Sequence, residues 1–547
     1  MDLNLEIRVR QIRGNRLVDD YVQGDHALAP FFPGHPFDPE AYRRKAREIR
    51  DRFDPDHLQA MAEAVRPVGA DADTKLQRIA AGDGFFVTTG QQPGLFTGPL
   101  YTIHKTLSAV ALATRLETLL DAPVLPLFWV ASDDHDWDEA SQTYLLDPSN
   151  ELHRLTLDGD PESHRSMGAR PLDGAAETAL SKLTEILPPS EFRPALLQRL
   201  QDAYTGNTVA GAFARTIESL LGDLNLGMVD AQDPVVRRLD QAVIRRELEN
   251  AGAHEAVLRR QTERLEERGY EAQVPILPGA VNVFYEDEEQ GRERLLRENG
   301  SWKLRASKRE LSDADLWGLY EEAAERFSAN VVLRPVVESA VFPTLAYVGG
   351  PGETRYLAQT GCLFEAHGVG MPVVFPRLSV TLIEGKVRKV LDKFGLEEDD
   401  FLARPVHEVV SAVVRDDVPE AVEEAVNELR QSLQEGYQAL YDAAEPIDPT
   451  LKGPIFHARN EGFKAISDVE KKIRQHVKLN EETELEQIEK AAMNLAPEGK
   501  PQERVLNVHQ YLARYGEALI PAILERMEIS LTAEGADGDG WGGVDCD

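Results

Sequence analysis

The sequence predicts an α/β protein whose core is a doubly wound parallel sheet, followed by a helical arm. Near residue 84 the chain has an apolar, β-rich run bounded by glycines, then a loop dense in Gly and Pro, and then a helical pattern over about 100–119. A second apolar strand, 124–130, completes a strand–loop–helix–strand unit, which is how a parallel α/β sheet begins. After about residue 384 the composition changes to helix formers with heptad spacing.

The predicted sheet domain covers residues 1–383. Its lead, 1–80, is irregular and then helical, with Pro and Asp start signals before a strong helix at 40–53. Four further short apolar runs, separated by helical patterns, are predicted strands of the same sheet: 226–229, 331–337, 345–348 and 373–376.

Two stretches do not fit a minimal sheet and are predicted to be insertions into it. Residues 150–220 are mostly helical in pattern. Residues 273–305 are antiparallel in pattern, with Asn299-Gly300 as a hairpin turn.

Heptad spacing indicates a helical arm over 384–500. Its apolar positions are Val422, Val426, Leu429, Leu433, Leu440, Ile466, Val469, Ile473, Leu485, Ile488, Ala492 and Leu495. The Pro-Ile-Asp-Pro run at 446–449 separates two such stretches, which predicts an antiparallel helical hairpin or coiled coil. Such an arm commonly mediates dimerisation, and an ordinary helical subdomain packed on its own core is the alternative. Residues 501–532 are predicted as a C-terminal helix returning to the core, and 533–547 as a mobile acidic tail.

Composition excludes several classes of function. The 547 residues include 94 Asp and Glu against 60 Lys and Arg, a formal net charge of −34, which disfavours binding to nucleic acid or to an anionic membrane surface. A local basic pocket for a small anion stays possible. Cys362 and Cys546 are far apart in sequence and are expected to be free thiols in a reducing compartment, so no Cys-rich zinc site is expected. No stretch approaches the ~18 apolar residues of a spanning helix, and we expect a cytoplasmic protein.

The first candidate site is the loop between the first two strands, at 89–99. Glycines permit close approach of the backbone, and the helix N-terminus that follows favours phosphate or carboxylate. The candidate ligand-binding and catalytic residues here are Gln91, Gln92, Gly94, Thr97, Gly98, His104 and Lys105. A tight turn without a ligand is the alternative, and the loop matches neither the Walker A nor the dinucleotide-binding pattern.

The second candidate site is the acidic run from Ser132 to Glu139, at the end of the second strand. Asp133, Asp134 and Asp136 surround His135, and this arrangement suits general acid–base catalysis or Mg²⁺ binding. The flanking carboxylates are expected to favour the charged form of His135. The alternative is the acidic first turn of a helix, with Ser132 or Asp133 as its cap.

Two more polar loops follow predicted strands. The loop at 347–353 contributes Gly349, Gly350, Gly352 and Glu353, which could hold a nucleotide or simply turn the chain. Arg377 and Ser379 follow the strand at 373–376, where Arg377 could pair with a carboxylate or phosphate. Cys362 has no obvious base beside it and is predicted to be a buried structural thiol.

Six runs together resemble a known family along nearly the whole chain. They are TTGQQPGLFTGPLYTIHKT at 88–106, FWVASDDHDWDEA at 128–140, VVLRPVVE at 331–338, AYVGGPGE at 346–353, MPVVFPRLSVTLIE at 371–384 and PQERVLN at 501–507. The family is that of the bacillithiol biosynthesis cysteine-adding enzymes. The resemblance implies a Rossmann-like core with connecting-peptide insertions and a coiled-coil domain used in dimerisation. It also implies the last step of the pathway, in which L-cysteine is joined to glucosaminyl-malate.

The resemblance also suggests a mechanism. The core is similar to that of nucleotidyltransferases and class I synthetases, although the run 93–98 departs from their His-x-Gly-His signature. ATP with Mg²⁺ is therefore the expected co-substrate that activates the cysteine carboxylate. The 90–98 loop, His104 and Lys105 would hold phosphate or carboxylates, and His135 would accept the proton of the glucosamine amine. Arg377 would anchor malate or phosphate.

Two other classes of function stay open at this point. One is a nucleotide-binding regulator that acts through its coiled coil, and the other is a metal-dependent hydrolase that uses the 133–139 cluster.

Overall fold

The computed structural model describes residues 4–161, 163–287, 290–298, 300–416, 420–480, 482–532, 541 and 543–546. The chain divides into two compact units. One unit comprises Ile7–Thr381 and the chain from Glu503 onward, and the other comprises Leu382–Gln502 with a short N-terminal stretch.

The strands alternate with helices through most of the chain. The strands are β1 Leu5–Gln11, β2 Arg66–Val68, β3 Phe85–Gln91, β4 Val124–Val130, β5 Gln142–Leu146, β6 Leu152–Thr156, β7 Leu226–Asp230, β8 Ala280–Asp287, β9 Gly291–Glu298, β10 Ser301–Leu304, β11 Glu310–Leu311, β12 Phe327–Ala329, β13 Thr344–Gly349, β14 Val373–Pro376 and β15 Leu378–Glu384. The α-helices are α1 Arg16–Gln23, α2 Pro39–Arg52, α3 Pro55–Ala62, α4 Ala72–Ala80, α5 Tyr101–Leu120, α6 Trp137–Ala140, α7 Glu177–Ile186, α8 Arg193–Tyr204, α9 Val209–Leu221, α10 Pro234–Leu239, α11 Gln241–Glu267, α12 Asp313–Glu322, α13 Arg334–Val341, α14 Pro351–Ala366, α15 Gly385–Phe394, α16 Asp400–Ala403, α17 Val406–Asp416, α18 Glu420–Ala444, α19 Lys452–Asn480, α20 Glu482–Leu495, α21 Gln502–Val505, α22 His509–Tyr515 and α23 Leu519–Leu524.

A six-stranded sheet forms the centre of the first unit, in the order β14-β13-β3-β4-β7-β2. The first five strands of that order run parallel, and β2 is an antiparallel edge. The strand order reverses between β3 and β13, because the chain adds β4 and β7 on one side of β3 and then β13 and β14 on the other. Ligands of open α/β sheets bind outside the carboxyl ends of the strands at such a reversal.

Both faces of this sheet are buried, which explains the continuous apolar runs of its strands. Along β3, Phe86 packs into one core, whereas its neighbours Phe85 and Val87 pack into another on the opposite face. The second core includes Leu112 and Leu116 of α5, so this helix is held against the sheet by its apolar side.

One predicted strand is wrong. Residues 331–337 were predicted as a strand from their β-branched run, but the chain there turns and enters helix α13. Pro335 lies in the first turn of this helix, where its fixed φ is favourable and its missing N–H is not needed. The other predicted strands of the sheet are present as β3, β4, β7, β13 and β14.

Two stretches of the chain lie between strands of the six-stranded sheet. Between β4 and β7 the chain forms α6, the strands β5 and β6, and the three helices α7, α8 and α9. The antiparallel stretch extends beyond the predicted 273–305 into a five-stranded sheet of order β11-β10-β9-β8-β12. In it Ser301 pairs with Glu298, while Asn299 of the predicted turn lies outside the described residues.

The second unit contains a helical hairpin formed by α18 and α19. Arg430 of α18 bonds Glu470 of α19 at 2.6 Å, and Glu423, earlier on α18, bonds Arg474, later on α19, at 3.3 Å. The two helices therefore run antiparallel. The predicted antiparallel hairpin is therefore present.

The C-terminal segment differs from its prediction in two ways. Instead of one helix over 501–532, the chain forms three short ones, α21 to α23. The tail was predicted to be mobile, but among its described residues Trp541 is 3% exposed, and it packs on Tyr21 and His35 with ring centroids 5.7 and 5.4 Å apart. Residues 533–540, 542 and 547 lie outside the described residues.

The prediction of two free thiols is also wrong, because Cys362 and Cys546 form a disulfide across 184 residues of sequence. Distance in sequence did not predict distance in space here, because Cys546 lies beside Cys362 of α14, with their Cα atoms 5.5 Å apart. Among the described residues, no helix is long and apolar enough to cross a membrane.

Candidate active site

A cleft of about 430 Å³ opens at the carboxyl ends of β3, β4, β13 and β14, where the strand order reverses. Its charged lining residues are Lys105, Arg292, Arg334, Arg377, Arg504, Asp133, Asp134, Glu139 and Glu353. The predicted residues Gln91, Gln92, Gly350 and Gly352 also line it. A larger cavity, about 810 Å³, is formed by residues between 165 and 326 and contains none of the predicted site residues.

Lys105 and Glu353 form an ion pair in the cleft. Lys105 Nζ donates to Glu353 Oε1 at 2.7 Å and to the carbonyl of Gly90 at 2.6 Å, while Tyr347 donates its hydroxyl to the same Glu353 oxygen at 2.6 Å. The other Glu353 oxygen accepts the Gly350 N–H at 2.8 Å, which caps the start of α14. Burial lowers the pKa of Lys105 although Glu353 opposes the shift. This pair joins the ends of β3 and β13 across the reversal of the sheet.

The two glutamines at the end of β3 contact different walls of the cleft. Gln91 Nε2 donates to the Tyr101 hydroxyl at 3.1 Å, and Gln92 Nε2 donates to Asp134 Oδ2 at 2.6 Å. Asp134 Oδ1 in turn accepts the Asp136 N–H at 2.9 Å. Gln92 thus connects the first predicted loop to the second.

Asp133 is a buried carboxylate held by two arginines. Arg292 NH2 lies 3.1 Å and Arg237 NH2 3.5 Å from its Oδ2. Burial alone would raise the pKa of Asp133, but Arg292 and Arg237 outweigh it and keep this pKa below its usual value. Arg292 comes from β9 in the antiparallel insertion, so the insertion supplies part of the cleft wall.

Glu503 lies below the cleft floor and forms hydrogen bonds with three of the predicted site residues. Arg377 grips both Glu503 oxygens at 2.8 Å, His104 Nδ1 lies 2.9 Å from Oε2, and the Ser379 hydroxyl donates to Oε1 at 2.9 Å. Burial favours the neutral acid, yet Arg377 and His104 hold the pKa of Glu503 well below its usual range. His104 and Ser379 are not part of the cleft lining, and the two terminal nitrogens of Arg377 are already used by Glu503.

The second half of the 89–99 loop is fixed inside the protein. Asn507 Nδ2 donates to the carbonyls of Phe96 at 2.6 Å and Gly98 at 2.8 Å, and the Phe96 N–H donates to the Tyr204 hydroxyl at 2.6 Å. Thr97 is buried, and neither it, Gly94 nor Gly98 lines the cleft. The loop is therefore divided between a ligand-facing start and a structural end.

His135 differs most from its prediction. It is half-buried beside His164 and Phe284, with ring centroids 6.1 and 5.7 Å away, and does not line the cleft. Its charged form was expected to be favoured, but burial and then Arg292 lower its pKa, and Asp134 and Asp136 do not offset them. The expectation is wrong because it counted only neighbours in sequence.

Two other residues of the acidic run, Asp136 and Ser132, make structural contacts. Asp136, rather than Ser132 or Asp133, caps α6 by accepting the Glu139 N–H at 3.1 Å. The Ser132 hydroxyl donates to Asp230 at the end of β7. Gly349 is buried as the last residue of β13.

Two residues of the site, Glu503 and Arg334, lie in runs that carry the family resemblance, but the sequence predicted no role for either of them. Glu503 and Arg334 belong to PQERVLN and VVLRPVVE. Arg334 NH2 lies 3.2 Å from the Tyr356 hydroxyl, and its Nε lies 3.3 Å from Glu338. Burial raises the pKa of Glu338 to about 7, against the opposing effects of Arg334 and Lys105. For Arg292, by contrast, the sequence held no signal.

The charge of the cleft contrasts with that of the chain. Five basic and four acidic side chains line it, whereas the whole chain has 34 more acidic than basic groups. The cleft therefore has one more basic than acidic side chain, and a concave site with buried cations is suited to small anions, such as carboxylates and phosphates.

Comparison with known proteins identifies relatives over almost the full length. Residues 2–378 match the family model "Bacillithiol biosynthesis BshC, N-terminal Rossmann-like domain", and residues 380–532 match "Bacillithiol biosynthesis BshC, C-terminal coiled-coil domain". Three curated relatives carry the name "Putative cysteine ligase BshC". The protein of Salinibacter ruber is 34% identical over 94% of both chains. That of Chlorobaculum tepidum is 35% identical over 79% of both. That of Bacillus cytotoxicus is 29% identical over 94% of this chain and 96% of its own. The predicted Rossmann-like core and coiled-coil domain are confirmed.

Proposed function

The chain belongs to the bacillithiol biosynthesis BshC family, and from that premise we propose that it is a cysteine ligase. The reaction is the addition of L-cysteine to the amine of glucosaminyl-malate, the last step of bacillithiol biosynthesis. The observation that carries the proposal is the cleft with five basic side chains at the sheet reversal of a strongly acidic protein. Both substrates are carboxylates, and such a cleft selects them against the charge of the rest of the surface.

Three cations have the position to hold the anionic groups. Lys105 of α5, Arg292 of β9 and Arg334 of α13 line the cleft from three separate elements, so together they surround a ligand instead of binding one side of it. Gly350 and Gly352 line the same cleft without side chains of their own, and a Cβ added to Gly350 would come into van der Waals contact with Glu353 at 3.5 Å and Arg377 at 3.8 Å. Arg377 forms part of the cleft floor, where it is paired with Glu503.

The amide bond forms when the amine nitrogen attacks the cysteine carboxyl carbon, one carbon–oxygen bond breaks, and the amine loses a proton. We assign the acceptor of that proton to Glu139, because it lines the cleft and His135 does not. Burial, followed by Asp136 and Asp134, raises the pKa of Glu139, which makes it a stronger base than an ordinary glutamate.

A free carboxylate is a poor electrophile, so the reaction needs an activating co-substrate, for which we propose ATP with Mg²⁺. The donor set fits this pair, since Lys105, Arg292 and Arg334 would hold phosphate oxygens and Asp134 would be a carboxylate ligand of Mg²⁺. When bound, ATP supplies the leaving group of the cysteine carboxylate.

The direct test is turnover with purified protein. We expect L-cysteine, glucosaminyl-malate, ATP and Mg²⁺ to give bacillithiol with one AMP per product by mass spectrometry, and Lys105→Met to reduce the rate at least ~100-fold. The matched control is Lys75→Met, which removes a lysine paired with Glu117 outside the cleft and is expected to keep full activity. Product formed without ATP would refute the activation step. Nucleotide binding without any product would favour the regulator, and chelator-sensitive hydrolysis without ATP would favour the hydrolase.

We also propose that the helical hairpin of the second unit pairs two copies of the chain. Leu429, Leu440 and Val469 are each more than half exposed on α18 and α19, although they belong to the heptad positions. Replacing Leu429 and Val469 by Glu is expected to convert a dimer into a monomer in light scattering. The exposed Gln431→Glu on the same helix is the control, and a wild-type monomer would contradict the proposal.

A further inference from the structure

A second group of ligand-type side chains lies outside the cleft, in the core of the first unit. Glu247 and His254 lie on α11 on either side of a kink at Asn250, and His367 follows the end of α14. His254 Nδ1 lies 2.6 Å and His367 Nε2 lies 3.0 Å from the same oxygen, Glu247 Oε2. One ligand atom of each residue lies within 4.8 Å of the others, and all three residues are buried.

In the described part of the chain, Glu247 has no Lys or Arg as an ion-pair partner. Glu247 is fully buried and accepts hydrogen bonds from both imidazoles and from Asn282 Nδ2 at 2.8 Å, which is the environment of an ionised carboxylate. Within the part of the chain that the structure describes, its recorded ion-pair partners are the two histidines alone. A buried carboxylate needs a positive charge close to it, and among the described residues no Lys or Arg pairs with Glu247, while Arg246 donates to the backbone carbonyl of His367 instead.

We propose that Glu247, His254 and His367 bind a divalent transition-metal ion, zinc by preference. Two imidazole nitrogens and one carboxylate oxygen are ligands that zinc commonly takes, and the ion would neutralise the buried carboxylate. The histidines bind as neutral imidazoles through the nitrogens that now face Glu247. The site is closed to solvent, so the ion has a structural role.

The cluster is connected to the cleft by a chain of amides. Asn282 bonds Glu247, and Asn330 Nδ2 donates to Asn282 Oδ1 at 3.0 Å. Asn330 Oδ1 then accepts the N–H groups of Val332 and Leu333 at 2.9 and 3.0 Å, in the turn that leads into α13. Because Arg334 opens α13 and lines the cleft, the ion would fix the wall that carries this arginine.

Metal analysis of the full-length protein, purified without a metal-affinity tag, tests the site. We expect about one zinc per chain after gel filtration, less than a tenth of that in Glu247→Gln and His254→Gln, and visible d–d absorption when Co²⁺ replaces zinc. The matched control is His153→Gln, in the half-exposed group Asp147, Glu151 and His153, which is expected to keep the metal.

Wild-type protein that contains no stoichiometric metal and shows no Co²⁺ absorption after refolding with Co²⁺ would overturn the proposal, and the cluster would then be a metal-free hydrogen-bonded triad. If the variants fail to fold, wild-type protein decides the question alone. Removal of its zinc by a strong chelator in mild denaturant is expected to lower the melting temperature, and re-added zinc to restore it.

Discussion

Glu503 is a single residue on which two of the predicted site residues depend. It neutralises Arg377 and bonds His104, and all three are buried. We therefore expect Glu503→Gln to lower the free energy of unfolding by about 3–5 kcal/mol, because it leaves a buried guanidinium without its counter-charge. Urea denaturation measures this change. Glu517→Gln, which removes an exposed partner of Arg199, is the control and is expected to change stability by at most about 1 kcal/mol.

The stabilisation that Glu503 gives to the folded protein is expected to fall in acid. Its folded-state pKa lies well below that of an unfolded glutamate, about 4.3, mainly because Arg377 and His104 overcome the cost of burial. Its stabilisation is therefore complete above the unfolded pKa and is lost as the pH falls toward the folded one. The gap between wild type and Glu503→Gln is expected to be constant from pH 6 to 8 and to shrink below about pH 4. A gap that is unchanged in acid would show that the loss comes from packing instead of charge.

At the scale of elements, the loop after β3 depends on one side chain from the C-terminal segment. Besides its bonds to Phe96 and Gly98, Asn507 donates to Thr143 Oγ1 at 3.0 Å, and its Oδ1 accepts the His509 N–H at 3.0 Å. Asn507→Ala leaves several buried polar groups without hydrogen-bond partners, and each such group lowers the free energy of unfolding by at most about 1–3 kcal/mol. We expect faster hydrogen exchange across 94–100 and unchanged exchange in β4. The exposed Asn460→Ala is the control, and exchange that stays at the wild-type rate would contradict this role for Asn507.

The elements also show where sequence reasoning works. Short apolar runs separated by helical patterns located β3, β4, β7, β13 and β14, because strands buried on both faces must be continuously apolar. The same rule failed at 331–337, since a β-branched run also suits a buried helix such as α13, and only Pro335 indicated a helix start. The prediction of a single C-terminal helix was wrong for another reason. The apolar residues of this segment are buried by packing on the core, and three short helices bury them without one long helix.

For the molecule as a whole, the limit of prediction was contact between distant segments. Strand ends located the cleft, since all parallel strands end at one edge. The residues that act on each other there come from far apart: Arg292 reaches Asp133 across 159 positions, and Glu503 reaches Arg377 across 126. His135 was misjudged for this reason, as Arg292 affects it more than its neighbouring aspartates. Which charges meet is decided by the insertion and the C-terminal segment, whose placement no local pattern shows.

The disulfide between Cys362 and Cys546 is a covalent link between distant segments, and it makes the stability of the first unit depend on redox conditions. A cross-link over 184 residues restricts the unfolded chain strongly, and its loss is expected to cost about 2–5 kcal/mol. Reductant should therefore lower the melting temperature of the wild type to that of Cys546→Ser, and should leave the variant unchanged. Trp541 reports the same event, because release of the tail from Tyr21 and His35 exposes a buried indole and shifts its fluorescence to longer wavelength. If native protein already titrates with two free thiols and reductant has no effect, the link does not form in solution, and non-covalent contacts hold the tail, among them the packing of Trp541 and the ion pair of Asp545 with Arg264.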